Sequence, residues 1–263
     1  MSLRAAGLLD ALAGLLWPAR CVACGCFLPP DGAGVPIRRA FCARCEESVV
    51  AWSEPGCPRC GEPFDSGPGH LCGACLADPP PFSGLGAALL YGGAGAEAVI
   101  RLKYSRSPWT ALPLGWLMTR LVEPRLPLPD GPRVVVPTPL HPRRLRERGF
   151  NQSALLAREL ARALGFPLQA GLLGRVRETG SRKGLSRADR HADLEGAFAV
   201  GERKSLAGLS ILLVDDVVTT GATVRAASRA ILDGGASAVH VVCLARAPMG
   251  SVAAGLPAGR RIA

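Results

Sequence analysis

Aromatic side chains are scarce in this chain of 263 residues: they make up 5%, and only two are tyrosines. Surfaces that bind single-stranded nucleic acid by stacking its bases depend on such side chains, so a base-stacking platform has little support. Long apolar runs are missing as well, and no segment approaches the roughly 20 residues that cross a bilayer as a helix. The N-terminal MSLRAAGLLDALAGLLWPARC is apolar but broken by Asp10. No A-x-A cleavage site in it is convincing, and it lacks the small residue that a lipoprotein signal places before its cysteine. Leu8, Leu9, Leu12, Leu15 and Leu16 instead recur at helical spacing, which predicts an amphipathic helix over 1–16 docking on its own protein. Several nucleotide signatures are absent too: no G-x-G-x-x-G after a strand, no G-x4-G-K-[ST], no D-x-D-x-T. Dinucleotide, P-loop and aspartyl-phosphate readings therefore fit less well. A soluble, cytoplasmic protein without membrane insertion is expected.

Acidic residues are in short supply relative to basic ones, 21 against 31, for a formal charge of +10 and a pI near 9.5. Lys103, Lys183 and Lys204 are the lysines, and arginine supplies the rest. A genome rich in Arg, Ala, Gly and Pro codons accounts for this as well as a polyanionic partner does. Hydrophobic residues are at an ordinary 48%, enough for a buried core.

Cysteine is present in plenty, and it divides the chain. Nine of ten cysteines precede residue 76, and eight form four C-x2-C pairs: Cys21/Cys24, Cys42/Cys45, Cys57/Cys60 and Cys72/Cys75. Without an export signal, disulfides are the weaker explanation. A C-x2-C turn aims two thiolates at one tetrahedral centre, so two knuckles complete a structural Zn²⁺ site with no open position. Two zinc ribbons follow, Cys21, Cys24, Cys42 and Cys45 closing the first and Cys57, Cys60, Cys72 and Cys75 the second. An interleaved pairing stays open, as does replacement of one ligand by Cys26 or His70. The ribbon segment is rich in Gly and Pro and poor in apolar periodicity, so the metals should carry its stability. Cys243, in AVHVVCLARAP, reads as a small core residue.

After the junction ADPPPF, strand-like segments (GLGAALLY, RVVVP, LSILLVDD, AVHVVCLAR) alternate with helix-like ones (GAEAVIRLKY, NQSALLARELARALG, GATVRAASRAILDGG). This predicts an α/β domain with a mainly parallel sheet, whose ligands sit at the carboxyl ends of the strands. There lie Asp215 and Asp216, followed by the small-residue turn Thr219-Thr220-Gly221-Ala222-Thr223 that opens a helix. Free backbone N–H groups and the positive helix end suit a phosphate, and carboxylates accept hydrogen bonds from sugar hydroxyls. A ribose 5-phosphate fits both. A purely capping role for these residues leaves their co-occurrence unexplained.

ILLVDDVVTTGAT, residues 211–223, looks like the signature of type I phosphoribosyltransferases, which bind phosphoribosyl pyrophosphate (PRPP). Together with the four knuckles and the segments LKYS, PTPLHPRRLRERGFNQ and EGAF, it makes the chain resemble the ComF family, from about Leu8 to Pro248. That family is linked to competence for DNA uptake. The resemblance implies an N-terminal helix (1–16), a double zinc ribbon (17–80), a phosphoribosyltransferase-like domain (83–248) and a C-terminal tail (249–263). It places Asp215 and Asp216 on the ribose hydroxyls, directly or through Mg²⁺, and Thr219, Thr220, Gly221, Ala222 and Thr223 on the 5-phosphate. Thr138, Pro139 and Leu140 match the pyrophosphate loop. Arg143, Arg144, Arg146 and Arg148 suit either pyrophosphate or a nucleic-acid backbone, or form a solvated basic surface. Asn151 reads as a helix N-cap.

The segment 178–195, ETGSRKGLSRADRHADLE, reads as a hood over the site. It departs from the family where Arg182 replaces a common Gln and Asp193 a common Asn. No nucleophile is evident, and phosphoribosyl transfer needs none, because it rests on positioning and on stabilising the departing pyrophosphate. The implied function is PRPP binding in DNA uptake and handling, with single-stranded DNA and a DNA-uptake helicase as partners. The alternative is a Mg²⁺-dependent enzyme moving phosphoribose to a nitrogen acceptor in nucleotide metabolism.

Overall fold

The computed structural model describes residues 18–29, 36–104, 108–125, 132–177, 194, 196–201, 206–250 and 252–256. The expected helix over 1–16 lies outside them, as does the hood except for Leu194. Two short helices follow cysteines of the ribbons: α1 (Ala43–Glu46) after Cys42, and α2 (Gly73–Ala77) after Cys72. The larger region then runs β1 (Gly84–Leu90), α3 (Gly93–Tyr104), α4 (Ala111–Val122) and β2 (Arg133–Pro137). It continues with α5 (Pro142–Arg148), α6 (Gln152–Leu164), β3 (Leu173–Arg175), β4 (Phe198–Val200), β5 (Ser210–Val218), α7 (Ala222–Asp233), β6 (Ala238–Arg246) and α8 (Val252–Gly255).

Among the described residues the main sheet has four strands in the order β1-β6-β5-β2, every neighbour parallel. β5 and β6 are central and read as near-continuous apolar runs because helices cover both faces of such a sheet. Successive side chains alternate between the faces. Leu212 and Val214 pack with Leu114, Leu117 and Met118 of α4 and Leu156 and Leu160 of α6. Ile211 and Leu213 pack instead with Val224, Ala227 and Ile231 of α7 and Phe198 of β4. β3 and β4 form a separate antiparallel pair.

α4 escapes a periodicity reading for a physical reason. Its sequence ALPLGWLMTRLV is apolar nearly all round and contains Pro113 and Gly115, both weak helix formers. Proline is tolerated in a first turn, where its missing N–H has no partner to lose. α6 is easier: Asn151 accepts hydrogen bonds from Ser153 N (3.0 Å) and Ala154 N (3.4 Å), the expected N-cap.

The ribbons do not hang from a linker. Cys21, Val22, Ala40 and Phe41 belong to the same buried cluster as Leu89, Val99 and Leu102. Between the ribbons, Trp52 N donates to Ala88 O (2.9 Å) and Leu90 N to Val50 O (2.8 Å), so residues 50–52 pair with the exposed side of β1. That covering protects a sheet edge that would otherwise offer unpaired backbone groups. At Gly93 the approach is so close that a Cβ would stand 2.2 Å from Ser48 O. Any side chain there would push the first ribbon off α3.

Candidate functional site

Each ribbon gathers four sulfurs. The Sγ atoms of Cys21, Cys24, Cys42 and Cys45 lie within 4.8 Å of one another, as do those of Cys57, Cys60, Cys72 and Cys75. The knuckles therefore pair in sequence order, and neither Cys26 nor His70 belongs to either set. His70 stacks on Phe64 at 4.3 Å, with Nδ1 3.0 Å from Pro68 O. The Cys24–Cys42 and Cys60–Cys72 sulfur separations are 3.7 and 3.6 Å. A tetrahedron with Zn–S bonds of about 2.3 Å requires sulfurs ~3.8 Å apart, so both clusters fit Zn²⁺. Burial pushes the Cys57 thiol up, but N–H groups of Cys72, Cys60 and Arg59 outweigh it and lower its pKa to about 7. Backbone donors thus favour the thiolate at Cys57, whereas burial pushes the Cys60 and Cys75 thiols up. Cys243 is fully buried within β6, a core residue as its setting suggests.

The second constellation is a cleft of about 550 Å³ at the carboxyl ends of β1, β2 and β5. Asp215 and Asp216 wall it, both nearly buried. They are not the last residues of their strand, since β5 continues to Val218 before the chain turns at Thr219 to Gly221. Gly221 has φ 79°, the left-handed region that glycine adopts without strain, and this lets α7 start at once. Gly221 offers no side chain to cap the helix, and Thr220 Oγ1 lies a long 3.5 Å from Ala222 N. The positive end of a three-turn helix is thus available to an anion.

Four residues that line the cleft each hold a buried polar atom with no hydrogen-bond partner among the described residues: Tyr91 Oη, Thr138 Oγ1, Gln152 Oε1 and Asp216 Oδ2. Each such group costs about 1–3 kcal/mol if left unsatisfied, so their gathering beside one cleft suits it to a polar ligand. Burial, then the charges of Glu97, Asp216 and Tyr104, push the Tyr91 pKa up to about 12, so it stays a hydroxyl donor.

The two acids have different partners. Lys103 Nζ of α3 lies 3.1 Å from Asp216 Oδ1. Asp215 Oδ1 accepts from Ser153 Oγ and from Asp216 N, both at 3.0 Å. Burial, and after it the Asp216 charge, still push the Asp215 pKa up to about 7. A carboxyl held there ionises when a cation arrives. Hard oxygen ligands suit Mg²⁺, and Asp215 and Asp216 are the residues that could hold it.

Of the other expected site residues, Thr138, Pro139, Leu140, Thr219 and Thr223 line the cleft, while Thr220, Gly221 and Ala222 shape the turn behind it. Thr138 is fixed by its N–H to Val214 O (2.8 Å) and its carbonyl accepting from Asn151 Nδ2 (3.0 Å). Arg144 and Arg148 reach the rim. Arg143 instead pairs with Glu147 at 3.1 Å on the exposed side of α5, and Arg146 is not part of the wall. One helix face explains the split, because positions four apart lie above one another. Tyr91, Lys103 and Ser153 were not picked out singly from sequence. LKYS held a signal for Lys103, whereas Tyr91 and Ser153 reach the site only through tertiary packing.

A family model for the double zinc ribbon domain matches residues 12–76, and one for the phosphoribosyl transferase domain matches residues 151–253. The chain is 38% identical over 212 residues to the DNA utilization protein YhgH of Salmonella typhi, covering 79% of this chain and 89% of that protein. It is 30% identical over 216 residues to Competence protein F of Haemophilus influenzae, covering 80% and 92%. Over 110 residues it is 36% identical to Competence protein ComFC of Bacillus subtilis, 42% of each chain. With a double zinc ribbon joined to a type I phosphoribosyltransferase fold, the chain belongs to the ComF family of competence and DNA-utilisation proteins.

Proposed function

We propose that the cleft binds PRPP together with Mg²⁺ and that the protein uses this site in the uptake or handling of DNA. The observation that carries the first half is the convergence beside one cleft of the Asp215–Asp216 pair, the α7 N-terminus and four buried polar atoms without partners among the described residues. In this reading the Thr219–Thr223 turn takes the 5-phosphate, Asp215 and Asp216 take the ribose hydroxyls and the cation, and Thr138 to Leu140 face the pyrophosphate. Bound there, Mg²⁺ would offset the pyrophosphate charge. Arg144 and Arg148 supply guanidinium groups on the same side. The DNA half draws on the names of the relatives and on the arginines of α5, which would meet a phosphate backbone along the rim.

Thermal melting tests the ligand reading, because a ligand that binds only the native state stabilises it. At a hundred times its Kd the gain is about 2.7 kcal/mol. PRPP with Mg²⁺ is expected to raise the melting temperature of the full chain, and Asp215→Ala with Asp216→Ala to abolish the rise. An undiminished rise in the double variant would remove both acids from the ligand site. Pyrophosphate release against a panel of nucleobases tests turnover, and release would put the transferase reading first.

A further inference from the structure

Arg246, at the end of β6, is the largest fully buried side chain, 2% exposed. Its Nε donates to Cys60 O (3.0 Å), the backbone of a cysteine in the second cluster. Its Nη2 pairs with Glu62 Oε2 at 2.8 Å. Its Nη1 donates to Val218 O (3.2 Å) and Thr219 O (2.7 Å), the two carbonyls that lead into the phosphate turn, and to Ala247 O. Glu62 is buried in turn, its other oxygen accepting from Met249 N (2.6 Å) and Gly250 N (2.8 Å). A charge pair this deep requires full pairing.

The second knuckle sets where this pair sits. Cys57 N donates to Glu62 O (2.8 Å) and Gly61 N to Cys57 O (2.9 Å), so the metal-binding hairpin itself places Glu62 and the Cys60 carbonyl. At the other end, a trans peptide points its C=O and its N–H in opposite directions. With the Val218 and Thr219 carbonyls turned to the guanidinium, the N–H groups of Thr219 and Thr220 face away from it.

We propose that Arg246 and Glu62 make the second zinc ribbon part of the phosphate site: its cysteine cluster fixes the hairpin, the hairpin fixes Arg246, and Arg246 orients the turn's amides toward the anion. Arg246 is a positioning residue, and it touches no ligand. The first cluster has a different connection, through Ser48 Oγ to Ala94 N (3.1 Å) and Ala23 O to Arg101 Nη1 (3.5 Å), both on α3. The part of the proposal that concerns ligand affinity rests on the PRPP reading above; the part that concerns loop shape does not.

Two readouts on the full-length, zinc-loaded chain keep those parts separate. One is the amide resonances of Thr219, Thr220 and Gly221 without ligand; the other is the Kd for PRPP–Mg²⁺. Arg246→Lys keeps the charge but cannot span both carbonyls and Cys60, and Glu62→Gln keeps the shape while weakening the pair. Both are expected to move the three resonances and to weaken PRPP about tenfold, while zinc stays at about two ions per chain. Cys75→Ser should likewise move the resonances and weaken PRPP, with zinc falling toward one ion per chain, and Cys24→Ser should leave the resonances in place. If Cys75→Ser does not fold, the Arg246 and Glu62 variants decide alone. Resonances unmoved in folded Arg246→Lys and Glu62→Gln overturn the proposal whatever PRPP does. Resonances that move in a chain whose wild type binds no PRPP uphold the positioning and reject the ligand. Equal displacement by Cys24→Ser would make the effect general unfolding, and the proposal would fall.

Discussion

The two zinc ribbons share one knuckle pattern and differ in what they hold. Each is two C-x2-C knuckles whose four sulfurs lie within 4.8 Å of one another. The first shares apolar core with α3 and α4 and meets α3 through hydrogen bonds at its own periphery. The second reaches a buried charge network that ends on the backbone of the phosphate turn. Identical metal chemistry can therefore serve two ends: one cluster anchors a surface, and the other extends the architecture of a binding site. The sequence pattern is blind to this, because the difference lies in residues between and beyond the cysteines.

Removing a metal ligand should produce the largest effect and the sharpest contrast. Structural zinc contributes folding free energy on the order of 10 kcal/mol in small ribbons, less where the surrounding core persists. Metal analysis should return about two zinc ions per chain, and one ion or none would refute the double ribbon. Cys57→Ser should lower the melting temperature and disturb the turn after Asp216, whereas a self-contained ribbon would unfold by itself and leave the turn formed. Next in size is Arg246→Met, which strands the Glu62 carboxylate in the interior and should cost about 3–5 kcal/mol by denaturant unfolding. Its counterpart at the first ribbon, Arg101→Ala, gives up among its contacts the long bond to Ala23 O (3.5 Å) and should cost less, about 1 kcal/mol. Equal costs would erase the distinction between the ribbons.

A pH scan separates the cleft from both ribbons. The folded pKa of Asp215 is raised to about 7, above the 3.8 of an unperturbed carboxyl. Between those values the folded chain holds a proton that the unfolded chain has lost, so this group's contribution falls as pH rises from about 4 to about 7. Lys103, Asp216 and Ser153 face the same carboxyl, and their interactions are already included in that direction. Asp215→Asn should flatten the slope and raise stability near pH 7. A slope unchanged in Asp215→Asn would assign it elsewhere. In the wild type, PRPP–Mg²⁺ binding at pH 6.5 should release protons, seen as a dependence of calorimetric heat on the buffer.

The smallest effects belong to the rim. Arg144→Ala with Arg148→Ala should weaken single-stranded DNA binding and flatten its salt dependence by roughly two units. Arg143→Ala with Arg146→Ala should change PRPP affinity little, since those residues stand off the cleft wall. Loss of PRPP binding in the second pair and not the first would reverse the assignment of the helix face.

Much of this was legible in sequence. The C-x2-C spacing carries its own geometry, and ILLVDDVVTTGAT carries strand, acids, turn and helix start in thirteen contiguous residues. Local patterns encode local structure. Lys103 and Tyr91 escape because they reach the acids from other elements, and Arg246 escapes because nothing in AVHVVCLAR says that its last residue folds inward. An Arg closing a strand ordinarily meets solvent; here Glu62, 184 positions away, makes burial tolerable. The ribbon's share in the core escapes for the same reason, since Cys21, Val22 and Phe41 read as ribbon residues but pack into the main core. The hood residues Arg182, Lys183, Arg187, Arg190 and Asp193 lie outside the described residues.

A crystal of the full chain grown with PRPP and Mg²⁺ tests the central claim most directly. The account expects the 5-phosphate on the amides of Thr219 to Thr223, the ribose hydroxyls and cation at Asp215 and Asp216, and the pyrophosphate beside Thr138 to Leu140. An empty cleft at saturating ligand, or PRPP bound away from Asp215 and Asp216, would contradict it.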